Sequence, residues 1–267
     1  MYDHLDFIAL ALIPGFMIID LVHRSRSYRT PRLWRLNGLL VSSLTVYLSF
    51  QVPRVWSALL GDATWFDLAH VGPWTGAGLG MLIYETGHYA YHRFAHSSNW
   101  VWRAAHQMHH SAESLDAFGA YFLHPVDTFM FTSIGTLVSV NLLGLSLEAA
   151  LLLNFWLVFN AMFQHANICT PRWLGYLIQR PESHALHHAR GVHRYNYSDL
   201  PLIDIVFGTF RNPETQDEPV GFYNGASSRW FDMLVGQDVS RPSSGSDSGR
   251  RPPSAPTTPI NPMEIAR

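Results

Sequence analysis

The hydrophobic positions of this chain fall into long runs, not into the alternation of half-buried strands. Five runs approach the roughly 17–25 mostly apolar residues that a helix needs to cross a bilayer. The first, DFIALALIPGFMIIDLV (Asp6–Val22), lacks a basic leader and a small-residue cleavage site, so it is expected to be an anchor and not a cleaved signal. The second starts near Leu36 (LNGLLVSSLTVYLSF) and fades at Pro53; the third, glycine-rich, runs from about Val71 to Tyr91, straight into histidines. The fourth (Val126–Leu143) and fifth (Leu147–Gln164) are joined by the link Gly144–Ser146. A soluble core accommodates one such run. Five predict an all-α, polytopic membrane helical bundle with four to five membrane helices. Pro171–Pro181 is too short to span, and Trp173, Leu174, Tyr176, Leu177 and Ile178 predict a helix lying in the interface.

Polar positions set orientation and boundaries. Between the first two runs lie Arg24, Arg26, Arg29, Arg32 and Arg35, which the positive-inside rule places in the cytoplasm. Alternating from there, every histidine cluster falls on that same side, as a cytoplasmic histidine-rich helical cap. From Asp238 the chain reads DVSRPSSGSDSGRRPPSAPTTPINP, with too few apolar groups to offset ordering entropy. The expected division is a membrane domain over 1–237 and a disordered Ser/Pro-rich tail over 238–267.

Composition changes this picture in one respect. The net charge of −2 over 267 residues implies no nucleic-acid-binding field. The mean hydropathy of +0.03 is low only because the polar segments dilute the apolar runs. Against a single cysteine, Cys169, stand 15 histidines, so an internal disulfide and a cysteine-based zinc or iron–sulfur site are excluded, and imidazole must supply most ligands to any metal.

GHYAYHRFAH supplies His88 and His92, four apart, with His96 one turn further. HQMHH supplies His106, His109 and His110, and HALHH supplies His184, His187 and His188. Residues three and four apart share a helix face, so H-x-x-x-H forms a pincer and H-x-x-H-H presents three imidazoles together. Isolated histidines (His4, His23, His70) read as surface residues, and His124, before Pro125, as a cap on the fourth run. His165 taken alone is more often a satisfied core residue than a ligand. The doubled H-x-x-H-H reads as metal-binding, because crowded imidazoles need something to neutralise the crowding. Nine imidazoles exceed the four ligands of one tetrahedral zinc and suit two ions, with iron the natural choice for oxygen chemistry. Glu85, one turn before His88, and Asp204 are candidate carboxylates for orienting the rings, or equally structural ones.

ETGHYAYHRFAH, HQMHHS, HPVD, QHAN and HALHHARGVHRYNYSDLPLIDIVFGTF occur in order over about Tyr84–Phe210 and resemble the fatty acid hydroxylase / sterol desaturase superfamily of membrane di-iron enzymes. The resemblance implies ligand roles for His88, His92, His106, His109, His110, His184, His187 and His188, with His165 matching the family's isolated histidine. Asn196, Tyr197, Asp204, Phe207, Gly208 and Thr209 match its closing signature, which is expected to pack the last histidine helix over the site. His96 and His193 stay unassigned.

The expected activity is hydroxylation or desaturation of an unactivated C–H position of a lipid, using two iron ions (a di-iron centre), O2 and an external electron donor: ferredoxin, cytochrome or reductase. A bacterial inner membrane is the expected location, with the active site facing the cytoplasm. Histidine-rich metal transport or sensing, and zinc hydrolysis, are the alternatives. Midplane transport sites on broken helices and three-ligand hydrolytic zinc both fit these histidines poorly.

Overall fold

A computed structural model describes residues 4–61 and 63–242. Among these, all regular structure is helical, apart from one isolated antiparallel bridge between Ala189 and Val220. The predicted runs become α1 (Leu5–Val22), α2 (Trp34–Leu60) and α3 (Pro73–Ser97). After the short α4 (Asn99–Val101), a π-helical turn (Trp102–His106) and α5 (Gln107–His110) come α6 (Pro125–Thr136), which continues as a π-helical turn over Leu137–Leu142, and α7 (Leu147–His165). The closing part carries α8 (Pro181–His187), α9 (Pro201–Val206) and α10 (Trp230–Leu234).

Local chemistry marks the boundaries. Pro73, Pro125, Pro181 and Pro201 each occupy the first turn of a helix, where a missing N–H costs nothing. His124 caps α6, its Nδ1 accepting from Val126 N at 3.1 Å, and Ser146 caps α7. Between them Gly144 turns at φ +55°; a Cβ there would lie 2.6 Å from the Phe66 carbonyl oxygen. Two expectations need correction. The second run does not fade at Pro53: α2 continues to Leu60 with Pro53 inside it, since a proline breaks only one backbone hydrogen bond of a long helix. The segment expected as an interfacial helix is a single 3-10 turn, Arg172–Tyr176, with Trp173, Tyr176 and Leu177 outward.

α1 and α3 pack on α7, α2 packs on α6, and α3 also packs on α6. Asp20 near the end of α1 accepts from Ala117 N (2.6 Å) and Asn167 N (2.9 Å), and Trp34 at the start of α2 donates Nε1 to Asp116 (3.0 Å). The Arg26 guanidinium donates to Ile168 O at 2.8 Å. The basic segment after α1, the histidine-bearing end of α3 and the end of α7 therefore share one end of the bundle. At the other end, Trp65 and Phe66 bond through their amides to the carbonyls of Asn141 and Leu142.

Outward faces of the long helices are apolar: Phe7, Ile18 and Leu21 on α1, and Leu36, Leu40 and Tyr47 on α2, are all about half exposed or more. Among the described residues, α1 and α7 are long and apolar enough to cross a membrane. Packing runs through Val239, which is fully buried and donates its amide to Gln107 Oε1 at 3.0 Å. Residues 243–267, most of the expected tail, lie outside the described residues.

Two glycines test the bundle's tightness. A Cβ on Gly38 would lie 2.6 Å from Phe118 O, whereas one on Gly78 meets nothing within 4 Å. Gly38→Ala is expected to destabilise by about 1–3 kcal/mol and Gly78→Ala to leave the detergent-solubilised melting temperature equal or higher. Equal melting of both variants would mean that α2 does not sit against the 112–122 segment.

Candidate metal centre

Helix geometry divides the histidines in a way that the face rule misses. At about 100° per residue, i+4 lies about 40° to one side of i and i+3 about 60° to the other, so the two point about 100° apart from one another. Each H-x-x-H-H box therefore straddles two centres. His106 and His110 join His92, His96 and His187 in one buried group; His109 joins His165, His184 and His188 in a second. The exchange is reciprocal: the first box lends its middle histidine to the second group, and the second box lends His187 to the first.

In the first group, acceptors hold the Nδ1 protons. His92 Nδ1 faces Tyr197 O at 2.8 Å, His187 Nδ1 faces Tyr195 O at 2.7 Å, and His106 Nδ1 faces Asp127 Oδ2 at 2.6 Å. With the protons there, the Nε2 lone pairs turn inward. The Nε2 atoms of all five histidines are buried without a hydrogen-bond partner. In the second group, Nε2 atoms face one another in succession: His109 to His165 at 3.2 Å, His165 to His184 at 3.1 Å, and His184 to His188 at 3.1 Å. Neutral imidazoles carry one donor each, so these approaches cannot all be hydrogen bonds. Nitrogens about 2.0–2.1 Å from a shared tetrahedral ion lie about 3.3–3.4 Å apart, close to the observed spacing. Orphaned lone pairs in one group and crowded ones in the other both fit metal ions.

The protonation state agrees with this. Burial, then neighbouring imidazoles, holds His109, His110, His184, His187 and His188 well below the ordinary imidazole range. Neutral rings are the form that binds metal.

The sequence candidates separate at this point. His92, His106, His109, His110, His165, His184, His187 and His188 all enter one group or the other, and His96, unassigned from sequence, completes the first. His88 enters neither. Its Nδ1 lies 3.9 Å from Glu85 Oε2 and 4.0 Å from Asp199 Oδ1. Glu85 and Asp204 do not hydrogen-bond an imidazole; they clamp backbone. Glu85 Oε2 accepts from Ser198 Oγ (2.6 Å), Asp199 N (2.9 Å) and Leu200 N (3.3 Å). Asp204 accepts from Tyr197 N and Ser198 N, each at 2.9 Å, and from Thr209 Oγ1. Both thus hold the strand of chain whose Tyr197 carbonyl receives His92. That chain is strained upstream, with His193, Tyr195 and Asn196 at positive φ. Burial pushes His193 down to about 4, and its Nδ1 meets His110 Nδ1 at 3.1 Å.

The carboxylate that does orient a ring is Asp127, whose other oxygen accepts from Tyr91 OH at 2.6 Å. Its signal was the HPVD motif, where an acid in the first turn of α6 reads as helix capping alone.

A cavity of about 600 Å³ reaches both groups. His92, His106, His109, His165 and His184 line one end, and residues mainly of α1, α2, α6 and α7, mostly apolar but with Asp6, Asn154 and several Ser and Thr among them, line the rest. On α7 its wall runs from Ala150 to His165, roughly 22 Å of helix.

A family model described as fatty acid hydroxylase matches residues 77–209. The chain is 25% identical over 134 residues to sphinganine C4-monooxygenase 1 of Arabidopsis thaliana, covering 49% of this chain and 52% of that protein. It is 28% identical over 178 residues to an ornithine lipid hydroxylase of Rhizobium tropici (65% and 53%) and 32% identical over 166 residues to the alkylglycerol monooxygenase of Homo sapiens (58% and 34%). It spans about half or less of the length of these relatives. No solved structure gives a significant match.

Asp127→Asn is expected to weaken metal binding by about 10–100-fold, read as retention during chelator titration; unchanged retention would remove Asp127 from the centre. Below about pH 6.5 the unfolded chain's histidines take up protons that the buried, depressed ones refuse, so the unfolded state binds more protons and stability falls. The metal-free protein should therefore melt lower at about pH 5.5 than at about pH 7.5, and a flat or opposite profile would contradict buried neutral imidazoles.

Proposed function

This chain belongs to the fatty acid hydroxylase / sterol desaturase superfamily, and from that premise we propose that it is an oxygen-dependent membrane di-iron oxidoreductase. Its reaction is hydroxylation or desaturation of an unactivated C–H position of a lipid. The observation that carries this reading is the single cavity joining an apolar, acyl-length channel to both histidine groups. A soluble substrate has no use for such a channel, and three-ligand hydrolytic zinc has none for nine imidazoles.

His92, His96, His106, His110 and His187 would hold one iron ion, and His109, His165, His184 and His188 the other; bound there, iron would supply the activation of O2 that an unactivated C–H bond demands. The protein's own part is placement. Asp127, Tyr195 and Tyr197 hold ring protons away from the metal side, and the 193–200 segment, fastened by Glu85 and Asp204, closes over the site. Leu153, Leu157 and Phe131 line the cavity, so water is displaced from the reacting end. The helices α1, α2, α3, α6 and α7 form the four to five membrane crossings. Arg26 packs against the residues following His165, so the basic segment and the histidine groups share the cytoplasmic side. Electrons arrive there from an external ferredoxin, cytochrome or reductase. A bacterial inner membrane remains the proposed location.

Purified protein should contain two irons per chain, and cells with and without the gene should differ in one lipid by one oxygen or two hydrogens. That change should vanish without O2. Conversion that persists without iron or without O2 would overturn the reading. His96→Ala should lose about one equivalent of iron and His88→Ala none; the reverse would return His88 to the ligand set.

A further inference from the structure

His88 and Asp199 line the cavity beside the metal groups yet serve no metal group of histidines. The His88 ring stacks on His92 at 5.5 Å, and Gln164, which precedes His165, donates Nε2 to Asp199 Oδ1 at 2.8 Å. The pair therefore sits at the reacting end of the channel and not along its tail. Both side chains are about nine-tenths buried or more, and His88 Nδ1 has no hydrogen-bond partner. At 4.0 Å, His88 Nδ1 and Asp199 Oδ1 are too far apart to bond each other. That separation suits one small polar atom between them, about 2.8 Å from each. Leaving a partnerless buried nitrogen and a carboxylate held only by Gln164 beside an apolar chain is costly unless the ligand completes them.

We propose that His88 and Asp199 form a subsite for a free hydroxyl on the lipid substrate. A hydroxyl matches the pair because it donates to the carboxylate while accepting from the imidazole N–H. Held there, its carbon and the adjacent carbons face the histidine groups, and the apolar tail extends along α7. The substrate class is then a long-chain lipid with a hydroxyl close to the carbon that reacts. This rests on the lipid-oxidising reading above. The same pair and Glu85, whose Oε1 is buried without a partner, also stand close enough to share a cation, and the metal count below separates that occupant from a hydroxyl.

The test is binding of paired probes, octadecanol and its methyl ether, to detergent-solubilised protein, followed by displacement of a fluorescent fatty acid. The ether keeps the tail and the oxygen but loses the O–H. Octadecanol should bind about tenfold tighter than the ether to the native protein, the scale of a hydrogen bond to a charged group. In Asp199→Leu and His88→Phe the two probes should bind within about twofold of each other. His88→Asn, which restores a polar atom, should recover part of the preference. Equal binding of both probes to the native protein, or a preference that survives both variants, would overturn the subsite, as would a third equivalent of metal lost in Asp199→Leu. Iron content and O2 consumption, measured on the same preparations, report on the lipid-oxidising reading separately: their loss with probe preference intact counts against that reading and not against the subsite.

Discussion

Nine imidazoles converge at one end of this molecule, five with inward Nε2 atoms that have no hydrogen-bond partner and four with Nε2 atoms crowded on one another, and they are the constraint around which it is built. An unsatisfied buried polar atom costs about 1–3 kcal/mol, so the five partnerless nitrogens alone cost about 5–15 kcal/mol, the scale of an ordinary domain's whole stability. Four of the rings, those of His187, His92, His165 and His106, are fixed from behind by the carbonyls of Tyr195, Tyr197 and Ala161 and by Asp127. Metal ions relieve that cost. The rest of the fold brings helix ends to one place and keeps them there.

The bundle does so with buried carboxylates gathered at the histidine end. Asp20 joins α1 to the residues after α7, Asp116 receives Trp34, and Glu85 and Asp204 fasten the closing segment. Away from that end, mostly apolar contacts with a few hydrogen bonds, such as Trp56 Nε1 to Ser133 Oγ, leave a channel between the helices. The polar end and the open, mostly apolar end are one design: the first holds the ligands in place, and the second admits a flexible chain.

Much of this was legible from the chain itself. Five apolar runs became five long helical segments, and eight of the nine histidines expected to bind metal converge in the two groups. The failures share a cause. H-x-x-x-H occurs twice in overlapping register, as His88–His92 and His92–His96, and spacing alone cannot say which pair faces the centre. The division of each H-x-x-H-H box between two groups likewise depends on where neighbouring helices stand. Glu85 was singled out by its distance from His88 along α3, but its partner is the backbone of Ser198–Leu200, over a hundred residues away. Asp127 was hidden for the converse reason: nothing local connects it to His106. Pro53 marked an end that tertiary packing overrides.

Anomalous diffraction at the iron edge from crystals of the iron-loaded protein tests the central claim most directly. The account requires two peaks per chain, one enclosed by His92, His96, His106, His110 and His187 and one by His109, His165, His184 and His188. A single peak, or iron lying between Glu85, His88 and Asp199, would contradict it.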